Sequence, residues 1–150
     1  MKTSLIIPCF NESRGIPALL ARCQEIIGER DIEVVIVDNG SSDDTQEVLA
    51  PLLQKYSFVT LINVAVNKGY GYGILSGLKG ASGNILAWTH ADLQTDPGDI
   101  IKALEFFEES NRSELLFVKG KRYGRPLIDV IFTIGMSIFE TILMKTKMWD

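Results

Sequence analysis

Cysteine is nearly absent from this 150-residue chain. Cys9 and Cys23 fit neither a metal-ligand spacing nor a disulfide framework, which points to a reducing compartment and makes the cytoplasm the default location. Excess positive charge is lacking as well. Lys and Arg total 15 against 19 Asp and Glu, a formal net charge of −4, so the chain is not a general nucleic-acid binder and any phosphate must be met locally. The glycine-rich stretch Asn67–Gly73 has no Gly-Lys-Ser/Thr ending, which excludes a P-loop. It also follows a third strand rather than a first, which argues against a dinucleotide fingerprint. No long apolar core follows Met1: MKTSLIIPCFNE breaks at once into Pro8 and polar residues, so a signal peptide is not expected. Repeats and low-complexity tracts are missing too.

What is present reads as a globular α/β domain. Hydrophobic residues make up 46% and charged residues 23%, enough apolar material for one domain to bury a sizeable core. Thr3–Ile7 reads as a short buried strand stopped by Pro8, which has no N–H for a sheet ladder. Ile16, Leu19, Leu20, Cys23, Ile26 and Ile27 recur at helical spacing, with Pro17 suited to the first turn and Gly28 to the stop. Ile32–Val37 holds the β-branched run Val34-Val35-Ile36-Val37, the pattern of a parallel strand covered on both faces. A helix should start near Asp43 or Asp44 with Val48, Leu49, Leu52, Leu53 and Tyr56 inward, and Pro51 is expected to kink or divide it. Val59–Val64 is the third strand. The next helix is placed over Ile74–Ala81, thinned by Gly77 and Gly80 at roughly 1 kcal/mol each against Ala, with close backbone approach as the expected return. Ile85–Thr89 is the fourth strand and Pro97–Ser110 the helix after it. Glu114–Val118 reads as a fifth strand and Lys119–Arg125 as a basic loop.

Strands alternating with helices imply right-handed βαβ units and a mostly parallel sheet, in which ligands bind beyond the carboxyl ends of the strands. The unusual loops all follow such ends. After the first strand, Phe10 can pack on a ring and Glu12 can accept hydrogen bonds from a base or ribose; alternatively, Asn11 or Glu12 only organises the turn. After the second, Asp38 can read a nucleobase N–H or a ribose hydroxyl, or form an Asx turn with Gly40. After the fourth, the stretch NILAWTHADLQTDPGD carries an apolar run into His90, Asp92, Gln94 and Asp96. Such an oxygen-rich set suits a hard divalent cation, Mg²⁺ or Mn²⁺, shared with a phosphate-bearing substrate; the alternative is a polar loop whose aspartates cap the next helix. His90 sits beside these groups rather than on an apolar helix face, which favours a functional role. Lys121, Arg122 and Arg125 offer positive charge for a phosphate, or simply form a solvated loop.

Taken together, Pro8-Cys9-Phe10-Asn11-Glu12, the run VDNGSSDDT from Val37 to Thr45, Asn67-Lys68-Gly69-Tyr70-Gly71 and the run ADLQTDP from Ala91 to Pro97 resemble, in order, the signature of family 2 glycosyltransferases. The resemblance covers nearly the whole chain. The Ala-Asp-Leu-Gln run and the loop Lys121-Arg122-Tyr123-Gly124-Arg125 look most like the dolichyl- or polyprenyl-phosphate mannose synthase-like branch. The resemblance implies a GT-A fold, a Rossmann-like nucleotide-binding α/β sandwich with a mostly parallel sheet. It implies an inverting transferase that uses a UDP-, GDP- or dTDP-sugar donor, Mg²⁺ or Mn²⁺, and a polyprenyl phosphate or other glycan or lipid acceptor. By position it implies that Pro8, Phe10, Glu12 and Asp38 hold the nucleoside, and that Lys68, Gly69, His90 and Ala91 lie against the donor. Asp92 and Gln94 match metal ligands and Arg122 matches a basic residue that faces phosphate, so Asp92 and Arg122 are the expected catalytic residues.

Two positions depart from the family pattern. His90 stands where the first acid of an Asp-x-Asp pattern is expected, and Asn39 replaces the commoner second Asp after strand two. Members of this branch also continue past the segment resembling Arg122–Asp150, so the chain reads as a donor-binding part cut short at its C-terminus. A nucleotide-sugar-binding domain is expected over residues 1–125 and an amphipathic helical segment over 126–150. In Leu127–Met144, Asp129, Thr133, Ser137, Glu140 and Thr141 form one polar stripe against a wide apolar face, and the acidic residues argue against a spanning helix. Two readings stay open: an interfacial helix lying on the inner face of the membrane near a polyprenyl acceptor, or a helix packed on another domain or a second subunit of a homo-oligomer. The competing function is a non-catalytic nucleotide-sugar-binding or oligomerising domain.

Overall fold

The computed structural model describes residues 1–110, 116–120, 134–135, 138–139 and 141–142, within two compact units, Met1–Ser110 and Asn111–Asp150. The first unit alternates strand and helix: β1 (Thr3–Cys9), α1 (Ile16–Ile27), β2 (Ile32–Asn39), α2 (Thr45–Lys55), β3 (Val59–Val64), α3 (Tyr70–Gly80), β4 (Ile85–Trp88) and α4 (Asp99–Glu109). Its strands are all parallel, in the order β3-β2-β1-β4. The α/β class and parallel sheet expected from the sequence are those observed.

Because successive strand residues point to opposite faces, β1 and β2 each serve two cores. Leu5, Ile7 and Cys9 of β1 and Val34 and Ile36 of β2 meet Leu19, Leu20 and Cys23 of α1, Leu49 of α2 and Ile100 of α4. Ile6, Val35 and Val37 point the other way and meet Ile62, Val64, Leu78 and Ala81. These three side chains are fully buried, and burying each stabilises the fold by roughly 1.5–3 kcal/mol. A strand covered twice has no polar face, which is why Val34–Val37 reads as an unbroken apolar run.

Several expected boundaries shift for local reasons. Strand β1 runs through Pro8 to Cys9: β4 pairs only with Thr3–Ile6, so Pro8 has a paired neighbour on one side alone, and a missing N–H is tolerated there. Helix α2 continues unbroken across Pro51, which is exposed, so the carbonyl it leaves without a partner faces water while Leu49 anchors the helix below. Helix α3 starts at Tyr70 rather than Ile74. Its glycines meet the sheet: a Cβ at Gly77 would collide with Ile6 Cγ2 and lie 2.9 Å from Val37 Cγ2, and one at Gly80 would collide with Ile62 Cδ1. The close approach expected of Gly77 and Gly80 is therefore to the core.

At the amino-terminal edge of the sheet, Glu33 ties three segments. Its Oε1 accepts Ser4 Oγ–H at 2.5 Å and Ser82 N–H at 2.7 Å, and its Oε2 accepts Ser82 Oγ–H at 2.7 Å and pairs with Lys2 Nζ at 3.2 Å. Burial alone would push this carboxyl up, but the bonds from Ser4, Ser82 and Lys2 outweigh it and hold Glu33 at about 2.

Residues 116–118 carry no regular secondary structure, and the remainder of the expected fifth strand lies outside the described residues. So do Lys121, Arg122 and Arg125, the boundary expected at 125/126, and most of the segment 127–144. Within the second unit, Ile134, Gly135, Ile138, Phe139, Thr141 and Ile142 are helical, and Ile134, Ile138, Phe139 and Ile142 are exposed. Among the described residues, no helix is long and apolar enough to cross a membrane.

Candidate active site

The loops that leave the carboxyl ends of the strands are laced to one another. Asn11 takes a left-handed φ of 58°, which Asn tolerates better than most residues. Its Oδ1 accepts Ser42 N–H at 2.8 Å and Asp43 N–H at 3.3 Å, while its own N–H donates to Ser41 Oγ at 3.0 Å. Glu12 N–H donates to Thr45 Oγ1 at 3.0 Å and Ser13 N–H to Asp43 Oδ2 at 3.3 Å. Hydrogen bonds led by that from Thr45 hold Asp43 down at about 2, so it is a fixed negative charge in this network. Gly40, at φ 76°, sits under the β3–α3 loop: a Cβ there would lie 2.6 Å from Asn67 N and 2.9 Å from Val66 C, so only glycine lets the two loops cross.

This lacing frames a cavity of about 320 Å³ lined by Pro8, Cys9, Phe10, Glu12, Asn39, Asn67, Gly69, Tyr70, His90, Ala91 and Asp92. Pro8, Phe10, Glu12, Gly69, His90, Ala91 and Asp92, expected from the sequence at widely separated positions, are thus brought together. Asp38 is not on the wall. It is fully buried, with Oδ1 accepting Ser41 N–H at 3.0 Å and Oδ2 accepting Gln46 Nε2–H at 2.6 Å, so both oxygens are engaged within the protein. Lys68 also lies off the wall, its Nζ 4.9 Å from the centroid of Tyr72, in a neighbouring groove with Asn63, Val64 and Ser76. Gln94 is exposed beside the cavity, and its N–H donates to Asp92 Oδ1 at 3.0 Å. Between them Leu93 holds a left-handed φ of 58°, a strained conformation of the kind that collects at functional sites. Asp96 neither lines the cavity nor caps α4: its Oδ1 accepts Gly98 N–H at 2.9 Å within the loop, and Arg22 grips both oxygens, Nε to Oδ1 at 3.1 Å and Nη2 to Oδ2 at 2.8 Å. Those bonds, Arg22 first, hold its carboxyl at about 2.

Sequence reasoning missed four wall residues, of which Asn39 is the most informative. It is 3% exposed, and its Nδ2 donates to Gly69 O at 3.0 Å and Asn67 Oδ1 at 3.4 Å, yet its Oδ1 is buried with no hydrogen-bond partner. In the sequence Asn39 stands out only as the residue that replaces a commoner Asp after strand two. Tyr70 stacks flat on His90, with ring centroids 4.8 Å apart and planes 3° from parallel. Burial, then the charge of Asp92, pushes its phenol up, so Tyr70 stays a neutral donor. Asn67 Oδ1 accepts Gly69 N–H at 2.8 Å and shapes the entry to α3. Cys9 is a thiol rather than a nucleophile: burial, then the charges of Asp38, Glu12 and Asp43, push it up to about 12, and its Sγ–H donates to Val37 O.

Among the described residues, no group of three His, Cys, Asp or Glu side chains is placed to hold a metal ion unaided. A hard divalent cation shared with phosphates needs less, since one or two carboxylates suffice when phosphate oxygens and water complete its shell. Asp92 fits that demand: it is exposed on the cavity wall, with one oxygen engaged by its own loop and the other not.

Fold and site together define a parallel α/β protein with its ligand crevice at the carboxyl edge of the sheet, and comparison with known proteins gives the family. The glycosyl transferase family 2 profile matches residues 4–131, and the chain belongs to that family. It is 35% identical over 123 residues to a dolichol-phosphate mannosyltransferase of Pyrococcus furiosus, covering 82% of this chain and 34% of that protein. It is 32% identical over 114 residues to an undecaprenyl-phosphate 4-deoxy-4-formamido-L-arabinose transferase of Serratia proteamaculans, covering 72% and 34% respectively. The chain thus spans about a third of the length of these curated relatives. Among solved structures it resembles the mannosyltransferase PcManGT of Pyrobaculum calidifontis in complex with GDP-Man and Mn²⁺, with a TM-score of 0.65 at 24% identity over 72% of this chain and 32% of that one. S. aureus TarS 1-349 in complex with UDP-GlcNAc gives a TM-score of 0.65 at 26% identity, over 85% of this chain and 37% of that one. The expected GT-A fold is the one these neighbours share.

Proposed function

We propose that this chain is the donor-binding part of an inverting glycosyltransferase that moves a sugar from a nucleotide-sugar to a polyprenyl phosphate or a related glycan or lipid acceptor. The observation that carries the reading is a cavity lined by both Asp92, with its exposed carboxylate, and Asn39, whose Oδ1 is buried without a hydrogen-bond partner. The first suits a cation-bound diphosphate, and the second awaits an N–H or O–H from a ligand, since an unpaired buried acceptor is costly. The polyprenyl-phosphate transferases among the relatives, and the nucleotide-sugar complexes among the neighbours, support it.

In this reading Pro8 and Phe10 give the nucleoside an apolar surface, with the half-exposed ring of Phe10 against the base. Glu12 accepts from base or ribose. Asp38 acts from behind, fixing Ser41 and Gln46 so that the β2–α2 loop keeps its shape. Gly69 and Ala91 let the donor approach the backbone, and Lys68 lies at the margin. Asp92, with Gln94, holds Mg²⁺ or Mn²⁺. When bound, that ion is a Lewis acid that neutralises charge on the departing nucleoside diphosphate. Arg122, which lies outside the described residues, is assigned by the resemblance to a phosphate, and an arginine can meet phosphate oxygens through two N–H groups at once. An acceptor phosphate oxygen is already anionic, so the chain needs no strong general base. The protein acts in the cytoplasm at the inner face of the membrane, where segment 126–150 touches the membrane surface or a second subunit.

The test is titration of UDP-, GDP- and dTDP-sugars with and without Mn²⁺, followed by assays of donor hydrolysis and of transfer to a polyprenyl phosphate. Metal-dependent binding with turnover supports the proposal. Binding without any turnover assigns a non-catalytic nucleotide-sugar-binding domain, and no binding of any donor overturns the reading.

A further inference from the structure

We infer that His90 supplies an imidazole nitrogen to the divalent ion held by Asp92, so that this site ranks Co²⁺ and Mn²⁺ above Mg²⁺. The inference rests on the donor-binding reading above and goes past it, to the ligand set and the ion preference.

His90 and Asp92 are separated by one residue and line the same cavity. The imidazole is held by stacking on Tyr70, with planes 3° from parallel. A flat stack covers the face of a ring and leaves its in-plane lone pairs free, and neither nitrogen of His90 takes part in a hydrogen bond or ion pair within the described residues. The shelf that holds the ring lies within the field of Asp92, because that carboxylate's charge acts on Tyr70. The wall therefore presents an oriented, uncommitted nitrogen donor beside a carboxylate with one uncommitted oxygen.

The remaining donors make that nitrogen matter. Gln94, exposed beside the cavity, offers only a neutral oxygen, and Asp96 is consumed by Arg22 and Gly98. Asp92 is left as the sole charged ligand on the cavity side of this loop, and a second strong donor completes the protein's share of the shell. Mg²⁺ prefers oxygen and gains little from imidazole. The first-row ions gain progressively from Mn²⁺ to Co²⁺ and beyond, so exchanging an acid for His90 moves preference along that series.

The experiment uses the untagged chain with Mn²⁺ and either UDP or GDP, examined by pulsed electron paramagnetic resonance. His90 is the only histidine in the sequence, so a histidine nitrogen coupled to Mn²⁺ has one possible source. The expected result is a ¹⁴N coupling that converts to a ¹⁵N pattern when the protein is labelled with ¹⁵N-histidine. In parallel, His90→Asp should lower the ratio of Co²⁺- to Mg²⁺-supported nucleotide affinity by about tenfold. The labelled wild-type protein carries the test even where a variant folds poorly. Mn²⁺-dependent nucleotide binding without a histidine coupling overturns this inference and leaves the donor-binding reading standing. Absence of any metal-dependent nucleotide binding overturns both.

Discussion

Replacing Gly77 by Ala sets two effects of similar size against each other. Alanine in a helix interior is favoured over glycine by about 1 kcal/mol, so propensity alone predicts a more stable protein. The position opposes it. The new Cβ would collide with Ile6 Cγ2 and sit 2.9 Å from Val37 Cγ2, whereas carbon atoms pack at about 3.5–4.0 Å. Ile6 and Val37 are fully buried β-branched residues on the two central strands, with little freedom to turn aside, so α3 must withdraw from the sheet. Overpacking of this kind costs about 1–3 kcal/mol, and the severity of the collision places it at the upper end, for a net loss of about 1–2 kcal/mol. Urea unfolding followed by far-UV circular dichroism should show the midpoint falling by roughly 0.5–1 M at an ordinary slope. Gly71→Ala is the control. It lies in the same helix with nothing within 4 Å of its Cβ, and it should hold or raise the midpoint. A Gly77→Ala protein as stable as the wild type would refute the argument that α3 is clamped to Ile6 and Val37.

The Glu33 cluster sets an acid limit on stability. In the unfolded chain this carboxyl takes up its proton near its ordinary 4.5, whereas in the folded protein it does so only at about 2, so its contribution is complete above 4.5 and disappears as pH falls through 2. The difference is worth up to about 3 kcal/mol, and Glu33→Gln should remove it, so the stability gap between wild type and variant closes between pH 4.5 and 2; a constant gap would count against the cluster. Asn39→Asp should cost about 1–3 kcal/mol, because it replaces the donor to Gly69 O with an acceptor at a position only 3% exposed. Equal unfolding midpoints at pH 7 would contradict that.

Much of this arrangement is legible in the chain because the core is regular. The unbroken Val34–Val37 run and the spacing of Ile16, Leu19, Leu20 and Cys23 each have one good solution, a doubly covered strand and a one-sided helix. What escaped reading depends on contacts between distant segments. The start of α3 was hidden because residues 70–73 have the composition of a loop, although in the fold they form its first turn, with Gly73 against Pro8 and Asn39. Pro51 was expected to kink or divide α2, and the helix runs undivided across it, with Pro51 exposed. Asp38 and Asn39 exchanged apparent roles. The acid turned inward to Ser41 and Gln46, and the neutral neighbour took the cavity wall, a choice made by strand pleat and loop crossing rather than by residue type. Asp96 belonged to the same oxygen-rich stretch as Asp92, and its pairing with Arg22, distant in sequence, was not legible there.

The central claim is that Asp92 joins a divalent cation to a nucleotide in the β4–α4 loop. Calorimetric titration of UDP and GDP into the wild-type chain and into Asp92→Ala, each with and without Mn²⁺, tests it most directly. The account predicts Mn²⁺-dependent nucleotide binding in the wild type and its abolition in Asp92→Ala, with the unfolding midpoint unchanged because Asp92 is exposed and bonded only to its own loop. Nucleotide binding of undiminished affinity and metal dependence in the variant would contradict it.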